Sequence, residues 1–222
     1  MVFEGGSISA DGHGSFVTTV QCLMHPNRNP GLTQSQIAAE LQLTLGAEAI
    51  LWLPYGLALD DDTDGHVDNV ACFARPGLLV MQGCDDPGEQ DHLRLDVDER
   101  VARGWIDGRG EPVETVVVPV LPFVERDGQR LAVPYLNYYV GNGFVAVPTC
   151  GHPADDDMLA IIAEQYPGRE TLALEIGSIL AIGGGGIHCI TQQVPSPAEV
   201  GRQAPSGADG VVGEQVGHQE IA

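Results

Sequence analysis

Cys189 closes the run Ile182-Gly183-Gly184-Gly185-Gly186-Ile187-His188-Cys189. Four consecutive glycines let the backbone take conformations closed to residues with a β-carbon and set nothing bulky beside whatever lies against them. The thiol that follows is presented rather than packed. A cysteine nucleophile acts as its thiolate, favoured by a nearby cation, a protonated histidine or a helix N-terminus, and its base is usually distant in sequence. His188 is adjacent, so on a strand it points to the opposite face and is the weaker partner. His66 is better placed, because Asp64-Gly65-His66-Val67-Asp68 sets an acid two residues to either side, facing the same way if the segment is extended. This combination suits a positively charged planar group. A guanidinium matches carboxylates through parallel charge-assisted hydrogen bonds, and burying it demands such acids. Thiolate attack on its central carbon gives a tetrahedral adduct that loses ammonia to leave an amidino-cysteine. A histidine protonates the leaving nitrogen and then activates the water that releases product. This route needs no metal and no cofactor.

Composition narrows the partners. The chain has 222 residues, 31 acids and ten basic residues, all of them Arg, for a formal charge of −21. Nucleic acid and anionic membrane are poor partners for such a surface, whereas a small cationic substrate is drawn to it. No apolar run approaches the ~18 residues of a membrane span, and the N-terminal residues lack a basic, then apolar, leader, so a cytoplasmic protein is expected. Five cysteines, Cys22, Cys72, Cys84, Cys150 and Cys189, form an odd set without a Cys-x-x-Cys pair. That argues against a disulfide framework and a structural zinc site. Asp60-Asp61-Asp62 resembles a calcium loop only in charge, since the alternating ligand spacing is absent.

These groups must be positioned by an α/β scaffold. Ser7–Ala10 and Ser15–Val20 flank Asp11-Gly12-His13-Gly14, a turn signal for a hairpin. Thr33 and Gln36 form a capping-box pattern, Ile37, Leu41 and Leu45 follow at helical spacing, and Gly46 stops the helix. Ala49–Leu53 is a buried strand. Leu93, Val97 and Val101 mark a second helix ending at Gly104, and Met158, Leu159 and Ile162 a third, led by Asp155–Asp157. Strands are expected at Thr115–Val120 and Leu172–Ile176. The helix starts recur at intervals of about 60 residues, the signature of a repeat architecture packed around a common axis. Such a ring gathers Glu4–Ser7, Asp64–Asn69, Tyr135–Asn142 and Gly183–Gln193 at its centre. Residues 1–195 are read as the catalytic domain and 196–222 as a disordered tail, rich in Ser, Pro, Gly and Gln.

Glu4-Gly5-Gly6-Ser7, Pro26-Asn27-Arg28-Asn29-Pro30, Thr63-Asp64-Gly65-His66-Val67-Asp68-Asn69, Tyr135-Leu136-Asn137-Tyr138-Tyr139 and Gly184-Gly185-Gly186-Ile187-His188-Cys189-Ile190-Thr191-Gln192-Gln193 together resemble the agmatine deiminase family, related to bacterial peptidylarginine deiminases. The resemblance implies a pentein fold, a fivefold α/β propeller, that hydrolyses agmatine to N-carbamoylputrescine and ammonia on the route to putrescine. It assigns Cys189 as nucleophile, His66 as general acid/base, Glu4 as the acid contacting guanidinium and histidine, and Asp68 as guanidinium anchor. Gly5, Gly6 and Gly185 would line the substrate. Gly186 stands where the family commonly has Asn, Asp62 where it has Glu, His13 where it has Glu, and Pro134 where it has Ser. The family's first repeat, with a Trp and an Arg-Asp motif, is expected before Glu4 and is not in this chain, so the chain alone is expected to be poorly stable or inactive. Deimination of peptidyl or free arginine, a non-catalytic binding module and a homo-oligomer stay open.

Overall fold

Three times along the chain an antiparallel hairpin is followed by a helix and then by a strand parallel to the hairpin's second strand. The computed structural model describes residues 1–194; the tail expected at 196–222 lies outside them. In the first repeat β1 (Ile8–Ala10) pairs with β2 (Ser15–Thr19), a short turn α1 (Val20–Leu23) and α2 (Gln34–Leu45) follow, and β3 (Ala49–Leu53) returns alongside β2. The second repeat is β4 (Ala71–Arg75), β5 (Leu78–Gln82), α3 (Gln90–Ala102) and β6 (Glu114–Val118). A separate hairpin, β7 (Phe123–Arg126) and β8 (Gln129–Ala132), precedes the third repeat. That repeat comprises β9 (Tyr139–Gly141), β10 (Phe144–Pro148), α4 (Asp155–Gln165) and β11 (Glu170–Leu174), with the one-turn α5 (Gly177–Leu180) beyond it. A helix is the natural crossover between parallel strands, which a tight turn cannot join. The described residues hold three repeats; a closed fivefold ring is not among them.

The local signals act as their chemistry dictates. Thr33 accepts the Gln36 N–H at 3.3 Å, Gln36 answers to the Thr33 N–H at 2.9 Å, and Gly46 ends α2 at φ 72°. Strand β5 is buried on both faces: Leu79 and Met81 join a cluster with Leu51 and Leu53 of β3 and Leu95 and Ala102 of α3. Its alternate residue Val80 joins Val118 of β6 and Met158 and Ile162 of α4. Neighbouring repeats therefore share cores, which a single repeat could not build alone.

The expected apolar face of α3 is corrected. Leu93 and Val101 are 68% and 43% exposed, and the buried side carries Asp91, Leu95, Asp98 and Ala102. The reason is polar. Asp98 accepts the Tyr55 N–H at 3.1 Å and Asp91 the Ala58 N–H at 2.8 Å. Arg94 donates to the Gly56 carbonyl at 3.0 Å and stacks 4.7 Å over the Tyr55 ring. This face of α3 thereby holds the chain that leads from β3 toward His66.

Candidate functional site

Glu4 caps a 3-10 turn, Gly5–Ser7, in which Ser7 Oγ donates to the Glu4 carbonyl at 2.6 Å. Thr18 of β2 donates to the Ser7 carbonyl at 2.7 Å and fixes that turn on the first sheet. His66 is placed by Asp60, whose carboxylate accepts the His66 N–H at 3.0 Å, the Asn69 amide at 3.2 Å and the Thr63 hydroxyl at 2.5 Å. Asp60 is thus a loop organiser. The segment around His66 is not extended: Asp64 and Gly65 have φ of 55° and 88°, and Val67–Asn69 is a 3-10 turn. Asp64 and Asp68 accordingly face different partners, which corrects the same-side expectation.

Asp68 turns toward the cysteine. Its Oδ2 accepts the Cys189 thiol at 3.4 Å and lies 2.9 Å from His188 Nδ1. Its Oδ1 is buried and has no partner among the described residues. Cys189 is not on a strand: His188–Ile190 forms a 3-10 turn, so His188 and Cys189 reach the same carboxylate rather than opposite faces. Asn137 anchors this turn, accepting the Cys189 N–H on its side chain at 3.2 Å and the His188 N–H on its carbonyl at 3.1 Å. Its amide also donates to Cys189 Sγ at 3.1 Å and to Asn69 at 2.8 Å, tying the two motifs together. The residue Cys189 is exposed overall, while its sulfur meets the Asn137 amide and the Asp68 carboxylate. Burial of the sulfur, then the Asp68 charge, pushes the thiol up to about 11.

The glycines divide. A β-carbon on Gly6 would sit 2.6 Å from both Asp68 Oδ2 and His66 Nδ1, and one on Gly185 would sit 2.5 Å from Cys189 Sγ. A β-carbon on Gly5 meets nothing within 4 Å. Gly6 therefore lets His66 Nδ1 and Asp68 approach one spot, and no hydrogen bond joins His66 to Cys189 directly among the described residues. On the far side of the ring, Glu4 Oε2 lies 3.4 Å from His66 Nε2. There Arg28, only 7% exposed, donates from Nε to Glu4 at 2.8 Å and from NH1 to Asp64 at 2.6 Å. Burial opposes the charged form of Glu4, but the Arg28 hydrogen bond and charge hold its carboxyl below the usual range. Glu4, Cys22 and His66 also offer three metal-ligand atoms within 4.8 Å of one another. An ion there would meet the Arg28 guanidinium already bonded to Glu4. Arg28 and Asn137 were each legible only as members of a motif, because their partners lie 24 or more residues away.

An α/β repeat scaffold thus sets a thiol against a buried carboxylate that a histidine ring also reaches. The chain belongs to the Porphyromonas-type peptidyl-arginine deiminase family, whose model matches residues 1–195. It is similar to an agmatine deiminase of Medicago truncatula, 37% identical over 215 residues, covering 88% of this chain and 58% of that protein. An agmatine deiminase of Pseudomonas aeruginosa is 38% identical over 214 residues, with the same two shares of 88% and 58%. Among solved structures, the agmatine deiminase of Enterococcus faecalis superposes with a TM-score of 0.80 at 28% identity, covering 86% of this chain and 56% of that one. The chain thus spans 58% of the length of these curated relatives. Among the described residues no helix is long and apolar enough to cross a membrane.

Proposed function

We propose that this chain carries the catalytic core of an agmatine deiminase, converting agmatine and water to N-carbamoylputrescine and ammonia. The observation that carries it is Asp68: a buried carboxylate with one oxygen unpartnered and the other against the Cys189 thiol. His188 reaches only the Oδ2 of this buried carboxylate; leaving Oδ1 unpaired is costly, and a guanidinium bound there would supply the missing partner. Burial and then the Asp68 charge hold the thiol at about 11, and the same cation would offset the second of these, so substrate binding favours the thiolate. The Cys189 sulfur, its thiol proton passed through solvent to His66, then bonds to the guanidinium carbon. As the bond from that carbon to a terminal nitrogen breaks, the His66 imidazolium gives that proton to the departing nitrogen, which leaves as ammonia. Water, deprotonated by His66, attacks the amidino carbon, and the C–S bond breaks to return the thiolate.

Agmatine is favoured over free arginine by what lies nearby. Arg28, the basic side chain nearest His66, is committed to Glu4 and Asp64, so the described residues offer it no role as a clamp for a substrate carboxylate. The architecture proposed with this activity is the pentein propeller, supported by three successive repeats that share cores. The free cysteines suit the reducing cytoplasm proposed as its compartment. The test is to mix the folded chain with agmatine, quench in acid and map adducts by mass spectrometry. An amidino group on Cys189, absent from Cys189→Ser, is expected, and it would overturn the expectation from the sequence that the chain alone is inactive. A folded chain that stays unmodified with agmatine, arginine and an arginyl peptide would instead mark a binding module.

A further inference from the structure

We propose that Arg28 is a positioning residue that decides which ring nitrogen of His66 carries the proton, directing Nδ1–H into the cleft of Cys189. The geometry begins with an arginine whose side chain is 7% exposed and whose guanidinium is almost fully used. Its Nε donates to Glu4 at 2.8 Å, NH1 to Asp64 at 2.6 Å and NH2 to the Thr63 carbonyl at 2.8 Å. The same NH2 lies 3.4 Å from His66 Nε2. Arginine has no acceptor and does not lose its proton, so this contact forms only if Nε2 is the bare nitrogen. The neutral ring then carries its proton on Nδ1. That atom faces the spot beside Gly6 where a β-carbon would be 2.6 Å away, and 2.6 Å from Asp68 Oδ2 as well. The thiol of Cys189 meets the same Asp68 oxygen at 3.4 Å.

Glu4 is the rival. Its Oε2 is 3.4 Å from Nε2 and on its own would draw the ring proton there, turning a bare Nδ1 to the cleft. Arg28 occupies that same oxygen and opposes this choice. The other charged or titratable groups around the ring are Cys22, next to Glu4, Asp60, bonded to the His66 backbone, and Asp68, across Gly6. None of these three is hydrogen-bonded to Nε2. The fork matters as well as the charge: lysine could neutralise Glu4 but could not reach Asp64, Thr63 and His66 together.

The significance of the tautomer for turnover rests on the deiminase reading, but the tautomer itself does not, so the two can fail separately. Long-range nitrogen–proton NMR on the full chain at pH 8, with His66 assigned by its loss in His66→Gln, reads it directly. The Nδ1–H form should predominate in the wild type. In Arg28→Met and in Arg28→Lys the ratio should move at least tenfold toward Nε2–H, a change that a merely structural role for Arg28 would not produce. An Nε2–H ring in the wild type overturns the proposal even if both variants fail to fold. An unchanged Nδ1–H ring in either folded variant overturns it too.

Discussion

Alanine at position 6 and alanine at position 5 differ by one residue and, on this geometry, by opposite outcomes. Neither glycine has a φ in the left-handed region, so the backbone tolerates alanine at both. At Gly5 the new methyl meets nothing within 4 Å, and the loss of unfolded-state freedom stabilises by about 0.4–1 kcal/mol. At Gly6 it would stand 2.6 Å from Asp68 Oδ2 and from His66 Nδ1. Neither can step aside freely, because Asp68 is held by His188 and the His66 backbone by Asp60. Overpacking of this kind costs about 1–3 kcal/mol. In a chain of this size each kcal/mol moves the melting temperature by about 2–4 °C, so Gly6→Ala should melt about 2–12 °C lower while Gly5→Ala melts at or just above the wild type. Displacing His66 or Asp68 by about 1 Å should also slow the loading of Cys189 by agmatine ~100-fold in Gly6→Ala alone. Thermal melts followed by circular dichroism and quenched-adduct mass spectrometry read the two effects. Equal destabilisation by both alanines, or a wild-type Gly6→Ala, would refute the reasoning.

Three further outcomes follow from the same contacts. Because the Asp68 charge helps raise the Cys189 thiol to about 11, Asp68→Asn should lower it and speed alkylation of the Cys189 peptide by iodoacetamide at pH 8 several-fold, as followed by mass spectrometry. Burial raises Asp98 from 3.8 to about 8, so the folded chain keeps a proton that the unfolded chain releases in that window. Stability should therefore fall as pH climbs from 3.8 toward 8, by at most ~1.4 kcal/mol per pH unit, and Asp98→Asn should flatten the decline in urea titrations. The Tyr138 hydroxyl bridges Tyr166 at 2.7 Å and Cys72 at 2.8 Å in a buried network. Tyr138→Phe should cost about 1–3 kcal/mol in chemical denaturation by stranding the Tyr166 hydroxyl.

The elements legible in the sequence are those built from near neighbours. The Asp-Gly hairpin, the Thr33–Gln36 cap, the Gly46 stop and the strand Ala49–Leu53 each depend on interactions within a few residues, and each forms as expected. The nucleophile candidate and its acidic histidine segment were legible for the same reason, since residue type and spacing advertise them. Tertiary structure decided the rest. Periodicity chose the Leu93–Val101 stripe of α3, but the backbone N–H groups of Tyr55 and Ala58 needed acceptors, and that need buried Asp91 and Asp98 instead. Alternation placed Asp64 beside Asp68, whereas two left-handed residues sent Asp64 to Arg28 and Asp68 to Cys189. Arg28 itself had no local signal, because a guanidinium shows its role only when the fold brings Glu4, Thr63, Asp64 and His66 around it. The sequence by itself supplied the reactive groups. Which faces meet, and which atom of His66 shares the spot beside Gly6 with Asp68, depended on long-range satisfaction of buried charge and hydrogen bonds, which no pattern of neighbours encodes.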